Sequence, residues 1–189
     1  LFPYTPLFRS GYGPATLVAT GGIALAAALA QELWLHNPAA HALLYFGLWA
    51  TTAALSAGLI VSQMIARAQR VHSGMADEMI RMAVEQFLTA AGAGALATLV
   101  LIDRAPALAW ILPGLWQIVF SIGVFSSCRF LPRLMLLAGA WYLAIGLIVL
   151  SLADNRALAP WTMGLAFGAG QLLVAAILAL SAKETRHEN

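Results

Sequence analysis

Two glutamines in this chain lie near the middle of long apolar stretches, where an amide is chemically out of place. Gln117 lies within the apolar stretch 106–128 and Gln171 within the stretch 159–182. A polar group without a partner in hydrocarbon is costly. The two amides could form a polar binding site or substrate path at the membrane midplane, together with Thr51 and Thr52. The simpler interpretation, which we favour, is that they bond two helices to each other, at about 0.6 kcal/mol per hydrogen bond and up to roughly 2 kcal/mol.

Two glutamates are the candidate ionisable residues of the membrane region. Glu85 lies at the start of the apolar stretch 82–102, and Glu32 lies near the end of the first apolar stretch. Ionisable residues inside a membrane are functional candidates by default. Both carboxylates are nevertheless close enough to a helix end to reach lipid headgroups, whereas proton-coupled transport usually requires a carboxylate nearer the bilayer centre. Their functional role therefore stays open.

The remaining residues that could carry chemistry form no recognised catalytic or cofactor pattern. The histidines lie in breaks between apolar stretches or at their ends, which argues against haem ligation inside the bundle. No GxSxG nucleophile motif or HExxH zinc motif occurs. The methionines near His72 could suggest Cu(I) binding, but such a stripe is more typical of packing. We expect no catalytic residue, no metal and no cofactor. The histidines are His36, His41, His72 and His187.

The elements that must position these residues are apolar helices. Hydrophobic residues make up 61% and charged residues 10% of the chain, and the mean hydropathy is +0.83. A bilayer core about 30 Å thick requires roughly 20 apolar residues per helix. Because the breaks are short, the sequence predicts an all-α polytopic membrane bundle of six transmembrane helices in three antiparallel hairpins, within a single domain of residues 11–189. The predicted spans are 14–35, 39–63, 82–102, 106–128, 134–153 and 159–182.

Proline and glycine positions refine this prediction. Proline opens or precedes four of the spans, where its missing N–H is not needed, and Pro113, inside the fourth span, predicts a kink. Gly164 and Gly168 have the GxxxG spacing that lets helices approach closely in lipid. Together with the position of the two glutamines, this spacing predicts that spans four and six pack side by side, with Gln117 and Gln171 at similar depth.

The distribution of Lys and Arg predicts the orientation. One side of the predicted membrane carries seven of these cations and the other side carries two. The richer side should be cytoplasmic, so both termini lie inside, and Trp34, Trp110 and Trp161 fall at the outer ends of their spans, as an aromatic belt requires. Cations spread over loops in this way indicate membrane insertion and no nucleic-acid partner. The seven are Arg67, Arg70, Arg81, Arg129, Arg133, Lys183 and Arg186; the two are Arg104 and Arg156.

The longest polar segment, 64–85, leads to the functional hypotheses. We expect it to continue helices two and three into the cytoplasm, with weak ion pairs among Asp77, Arg81 and Glu85 at i, i+4 spacing. The first hypothesis is a non-enzymatic membrane sensor or partner subunit that acts through this segment. Its partner, besides the lipid bilayer, would be a soluble regulatory protein or a second copy of the chain. The second hypothesis is a small transporter or channel subunit with a midplane polar site, and an intramembrane enzyme is the third.

The first ten residues, LFPYTPLFRS, closely resemble the translation of a common short-read sequencing adapter, which differs from them only at Pro6. The resemblance implies that residues 1–10 do not belong to the natural protein. We therefore expect them to contribute nothing to the fold.

A second resemblance rests on the run LPGLWQ at 112–117, the pair Trp141-Tyr142 and the pattern PWxMGxxFGxGQ at 160–171. With these motifs the chain is similar, over nearly all of residues 11–189, to a group of uncharacterised bacterial six-span integral membrane proteins. Members of that group are often encoded near winged-helix transcriptional regulators. The group has no assigned activity, so the resemblance implies a bacterial inner membrane and a regulatory context, and it transfers no site residue.

Overall fold

The structure, a computed structural model, describes residues 14–71, 91–128 and 133–187, and every regular element within these ranges is a helix. The prediction of an all-α fold is therefore confirmed for the described residues. Two short 3₁₀ segments accompany six α-helices there. In chain order the elements are α1 (Pro14–Trp34), α2 (Ala42–Val71), α3 (described over 91–104), the first 3₁₀ segment (Pro106–Ile111), α4 (Leu112–Ser127), α5 (Met135–Ser151), the second 3₁₀ segment (Asn155–Leu158) and α6 (Pro160–His187).

Proline sets several of the helix starts. Pro14 and Pro160 open α1 and α6, as predicted. Pro106, however, opens a 3₁₀ segment, and the α-helix begins only at Leu112, with Pro113 in its first turn. Pro113 thus lies at the junction between the 3₁₀ segment and α4, not in the interior of an α-helix, and the kink stays a prediction. A proline in the first turn removes no helical hydrogen bond of α4, so this residue is compatible with a helix start at Leu112.

Among α1, α2, α4, α5 and α6, the most extensive packing contact joins α1 and α6. A Cβ on Gly164 would overlap Ala28, a Cβ on Gly168 would overlap Leu25, and Gly21 faces the carbonyl of Gly168. Because these pairs step in opposite directions along the two helices, α1 and α6 run antiparallel. The GxxxG glycines do allow two backbones to approach closely, but the partner of α6 is α1.

The second extensive contact joins α4 and α5. Gly114 and Gly146 face each other so closely that a Cβ on Gly146 would lie 2.9 Å from the Gly114 carbonyl oxygen. A Cβ on Gly139 would likewise overlap the ring of Phe125. Further contacts join α2 to α1 and α5 to α6, whereas α4 reaches α6 over only a small area. The side-by-side packing predicted for spans four and six is therefore not observed.

The lengths and exposed surfaces of the helices suit a lipid bilayer. Within the described residues four helical stretches are long and apolar enough to cross a membrane, and α5 is a shorter apolar helix. Leu29, Leu43 and Leu96 are among many large apolar side chains that are more than half exposed, a surface that soluble proteins rarely present. These properties are those of a helical membrane bundle, and the number of six spans stays a prediction. The four stretches are Pro14–Trp34, Ala42–Gln63, Pro106–Ser126 and Pro160–Leu180.

One end of the bundle, named here the closed end, contains both 3₁₀ segments and a cluster of aromatic side chains. The 3₁₀ segments contact each other, and Leu112 and Leu158 are fully buried between the helices. Trp34 and Trp161 are exposed at this end, at the level where the predicted aromatic belt would lie. Three aromatic residues at the start of α2 are buried in the same cluster, namely Tyr45, Phe46 and Trp49.

The chain leaves α5 through a residue in the left-handed conformation. Ala153 has a φ of 53°, and its N–H donates to the carbonyl of Leu150 at the end of the helix. Glycine is the usual residue at such a position because a Cβ there costs about 1 kcal/mol. The left-handed residue is followed by the second 3₁₀ segment, where the Asp154 carboxylate accepts a hydrogen bond from the backbone N–H of Arg156.

Candidate functional site

The Gln31 side chain joins three parts of the bundle near the closed end. It is 1% exposed, its Nε2 donates to the carbonyl of Leu158 at 2.7 Å, and its Oε1 accepts the indole N–H of Trp49 at 2.9 Å. A single amide of α1 thus bonds both α2 and the second 3₁₀ segment. It pairs one donor and one acceptor that would otherwise be unsatisfied in the interior.

Gln117 makes a comparable connection between α4 and α6. Its side chain is fully buried, and its Nε2 donates to the carbonyl of Thr162 at 2.8 Å and approaches the sulfur of Met163 at 3.7 Å. Because both neighbours are acceptors, the amide must present its NH₂ group to them, which fixes its orientation. No protein group in the described structure donates to its oxygen Oε1.

The start of α6 also lies beside Tyr45. The hydroxyl of Tyr45 is fully buried next to the side chain of Thr162. The Thr162 hydroxyl donates towards the carbonyls of Ala157 and Ala159, so its oxygen can still accept a hydrogen bond from Tyr45. Tyr45 and Gln117 therefore both lie beside the same residue of α6. We refer to Gln31, Tyr45, Trp49, Gln117 and Thr162 together as the buried polar cluster.

Tryptophan side chains supply further hydrogen bonds between helices. The indole N–H of Trp116 donates to the hydroxyl of Thr98 in α3, and that of Trp141 donates to the carbonyl of Ala166 in α6, both at 2.9 Å. A buried indole usually finds a partner for its single donor. The tryptophans in the sequence could therefore have indicated these connections between helices. The prediction considered only the central glutamines and missed them.

The structure does not bring Gln117 and Gln171 together. Gln117 bonds to Thr162, and Gln171 lies nine residues further along α6, which is about 14 Å along the helix axis. Gln171 is partly buried against α1, where its Cβ lies beside Gly21. The two amides therefore differ in depth and in helix partner, and a site shared between them has no geometric support.

The two threonines proposed for the same site behave differently from each other. Thr51 is exposed and Thr52 is buried, and each hydroxyl donates to a carbonyl four residues earlier in α2. Such bonds satisfy a threonine within its own helix and need no partner from another element. Neither side chain hydrogen-bonds to Gln117 or Gln171.

The candidate ionisable residues do not contribute to the buried polar cluster. Glu32 is exposed, next to the buried Gln31 on the same helix. Glu85 lies outside the described residues, as does most of the segment 64–85. Sequence reasoning gave weight to Glu32 because it is ionisable, whereas its uncharged neighbour makes the interhelical bonds.

The chemistry available to the buried polar cluster is hydrogen bonding without charge. Its five members include no carboxylate, imidazole or amine. The ion pairs Asp103–Arg104 and Asp154–Arg156 are exposed. In the described ranges no group of three His, Cys, Asp or Glu residues could hold a metal ion. The arrangement can therefore bind and orient neutral polar groups.

A shallow pocket of about 150 Å³ opens beside Gln31 between α1 and α2. Its wall is largely apolar, and both ends of the Gln31 amide are already bonded within the protein. The pocket thus offers little to a polar ligand. It is lined by Ala30, Gln31, Trp34, Leu35, Leu44 and Leu48.

Comparison with known proteins gives no relative from which a role could be transferred. No protein-family model, no curated protein and no solved structure matches the chain. The resemblance to bacterial six-span proteins therefore stays a prediction, and a function has to be inferred from the helices and their side chains.

Proposed function

We propose that this chain is a non-enzymatic sensor or partner subunit of the bacterial inner membrane, which binds a soluble protein at its cytoplasmic end. The observation that supports the proposal is that α2 and α6 remain helical beyond their apolar sequence, to Val71 and His187 respectively. Both helices run antiparallel to α1, so their polar extensions project from the same end of the bundle, opposite the closed end. Each extension is about two helical turns long.

The charges on the two extensions support the orientation. The extension of α2 carries Arg67 and Arg70, and that of α6 carries Lys183 and Arg186. By the positive-inside rule this end is cytoplasmic, which gives six spans with both termini inside. Single cysteines at Asn37, Asn155 and Thr185 test this topology in a Cys128→Ser background with a membrane-impermeant thiol reagent on intact cells. We expect labelling at the first two positions, and labelling of Thr185→Cys from outside would contradict the orientation.

Partner binding is tested by a photo-crosslinking amino acid placed in the segment 64–85. A crosslinker at Gln69 should trap a soluble protein in intact cells, whereas the same group at Asn155, near the closed end, should trap none. The adduct should also be lost when Arg67 and Arg70 are replaced by glutamine while membrane insertion is retained. Adducts to lipid alone at Gln69 would contradict the proposal, and adducts to a second copy of the chain would indicate a homo-oligomer instead.

The alternative function is a small transporter or channel subunit. Buried side-chain oxygens without a protein partner in the described structure support it, namely those of Gln117 and Tyr142. Proteoliposomes should discriminate, because a transporter of neutral solutes would raise the permeability to water, glycerol or urea above that of protein-free liposomes. Under the partner-subunit proposal the permeability does not rise. A raised permeability that falls with Gln117→Leu would favour the alternative.

A further inference from the structure

We infer that α2 is a lever with its pivot at the closed end, so that a protein bound to its polar extension changes the tilt of α2 against the other helices. The inference is carried by uneven attachment, because the first part of α2 is packed into the bundle and the rest is not. It rests on the partner-subunit function proposed above for what binds the extension, whereas the pivot is a property of the chain alone.

The start of α2 is held by three other helices. The Trp49 indole N–H donates to Gln31 of α1 at 2.9 Å, and the Phe46 ring packs edge to face on Trp116 of α4, with ring centroids 5.6 Å apart. The Tyr45 side chain is fully buried beside the start of α6. These contacts fix the position of α2 at the closed end.

The remainder of α2 is attached far more weakly. Thr52 is the last residue of this helix that the structure describes as buried, and none of residues 53–63 is buried. Leu55 is 60% and Ile65 is 47% exposed, and the Ser62 hydroxyl donates to a carbonyl of its own helix. A segment with so few buried contacts moves at little cost in free energy.

The helices beside α2 show no such gradient. Their buried residues run from Thr16 to Gln31 in α1, from Met135 to Val149 in α5 and from Thr162 to Ile177 in α6. The packing of α1 on α6 is also more extensive than that of α1 on α2. We therefore regard α1, α5 and α6 as the frame against which α2 tilts.

The length of α2 amplifies a small change of tilt. From Trp49 to Val71 the helix rises about 33 Å, at 1.5 Å per residue. A change of about 10° is small beside the roughly 0–40° over which transmembrane helices tilt. It moves Val71 by about 6 Å and Gln63 by about 4 Å, whereas residues near Trp49 hardly move. Binding at the extension is thus converted into a hinge motion of one helix.

Distances between nitroxide labels test the pivot in the chain alone, in lipid nanodiscs and in a Cys128→Ser background. The pair Gln63→Cys and Leu180→Cys joins α2 to α6 at the end opposite the closed end. The pair Leu43→Cys and Trp161→Cys joins the same two helices at the closed end, and all four positions are exposed. By double electron–electron resonance we expect the first distance distribution to be several Å broader than the second. Equal widths would overturn the inference.

A third pair separates the pivot from a general loosening of that end. Val18→Cys and Leu136→Cys join α1 to α5 there, at exposed positions outside α2. Their distribution should be as narrow as the one at the closed end. A distribution as broad as that between Gln63 and Leu180 would mean that the whole end moves, and it would overturn the pivot.

Two tryptophan variants test what holds the pivot. Trp49→Phe should broaden the closed-end distribution, because it removes the bond to Gln31. Trp141→Phe is the matched control, because it removes an equally short indole bond, between α5 and α6, and should leave that distribution unchanged. An unchanged distribution in Trp49→Phe would contradict the position of the pivot.

The photo-crosslinked adduct at Gln69 tests whether binding is coupled to the tilt. In the purified adduct the distribution between Gln63 and Leu180 should narrow, because a bound protein selects one tilt. An adduct that leaves this distribution unchanged would overturn the coupling. A narrow distribution in the chain alone would overturn the lever whatever the crosslinker traps. A broad one without any protein adduct would contradict the partner-subunit function and support the pivot alone.

Discussion

Replacing Gln31 by methionine tests the connection that holds the closed end together. Methionine keeps the length and approximate volume of the side chain but removes the bonds to Trp49 and to the carbonyl of Leu158. Hydrogen bonds between membrane helices contribute about 0.6 kcal/mol on average and up to about 1.7 kcal/mol, and an unpaired buried group adds a penalty of its own. With two bonds lost, we expect the free energy of unfolding to fall by about 2 kcal/mol. That decrease corresponds to about 30-fold in the equilibrium constant.

The measurement is equilibrium unfolding in mixed micelles with increasing sodium dodecyl sulfate, followed by helix content. Glu32→Gln is the matched control, because the neighbouring side chain is exposed and should change the stability by less than about 0.5 kcal/mol. Trp49→Phe should cost less than Gln31→Met, since it removes one of the two bonds, and the two substitutions should be coupled. The reasoning is refuted if Gln31→Met unfolds within about 0.5 kcal/mol of the unmodified protein.

Three further predictions are tested by the same unfolding measurement. Gly146→Ala should destabilise by about 1–3 kcal/mol, because its Cβ would press on a backbone oxygen of α4; Gly58→Ala, with no neighbouring atom within 4 Å, is the control and should not destabilise. Gln117→Leu and Gln171→Leu should each cost about 1 kcal/mol or less, and their effects should add because the amides are far apart; a coupling above about 0.5 kcal/mol would show that they interact. Ala153→Gly should stabilise by up to about 1 kcal/mol, because the residue has a positive φ, and an unchanged or lower stability would contradict this account.

The helix starts show how far the sequence determines the fold. Pro14 and Pro160 each follow a polar or irregular stretch, so the start of α1 and α6 could be predicted. The sequence between 106 and 113 contains two prolines, and either can occupy a first helical turn. In the structure the α-helix starts at the later proline, and the earlier one opens a 3₁₀ segment that contacts the second 3₁₀ segment. This contact joins residues too far apart in sequence to be predicted from local patterns.

The structure separates the two glutamines of the predicted midplane site, and the reason is related. Placing Gln117 and Gln171 at similar depth assumed that every apolar stretch is centred in the bilayer. In the structure α4 begins at Leu112, and Gln117 lies opposite Thr162, close to the beginning of α6. The residue types were thus informative, since Gln117 does join two helices, but the partner could not be derived from depth alone.

The pairing of α1 with α6 has a consequence for how the chain is synthesised. Helix α1 acquires its extensive contact with α6 only after more than 120 further residues have been synthesised, and Gln31 cannot bond Leu158 before that residue has been added. At translation rates of 5–20 residues per second this interval is on the order of 10 s. During it the Gly21 face of α1 and the Gln31 amide must be covered by lipid headgroups, water or the insertion machinery. A chain that terminates before α6 would leave this face of α1 without its protein partner.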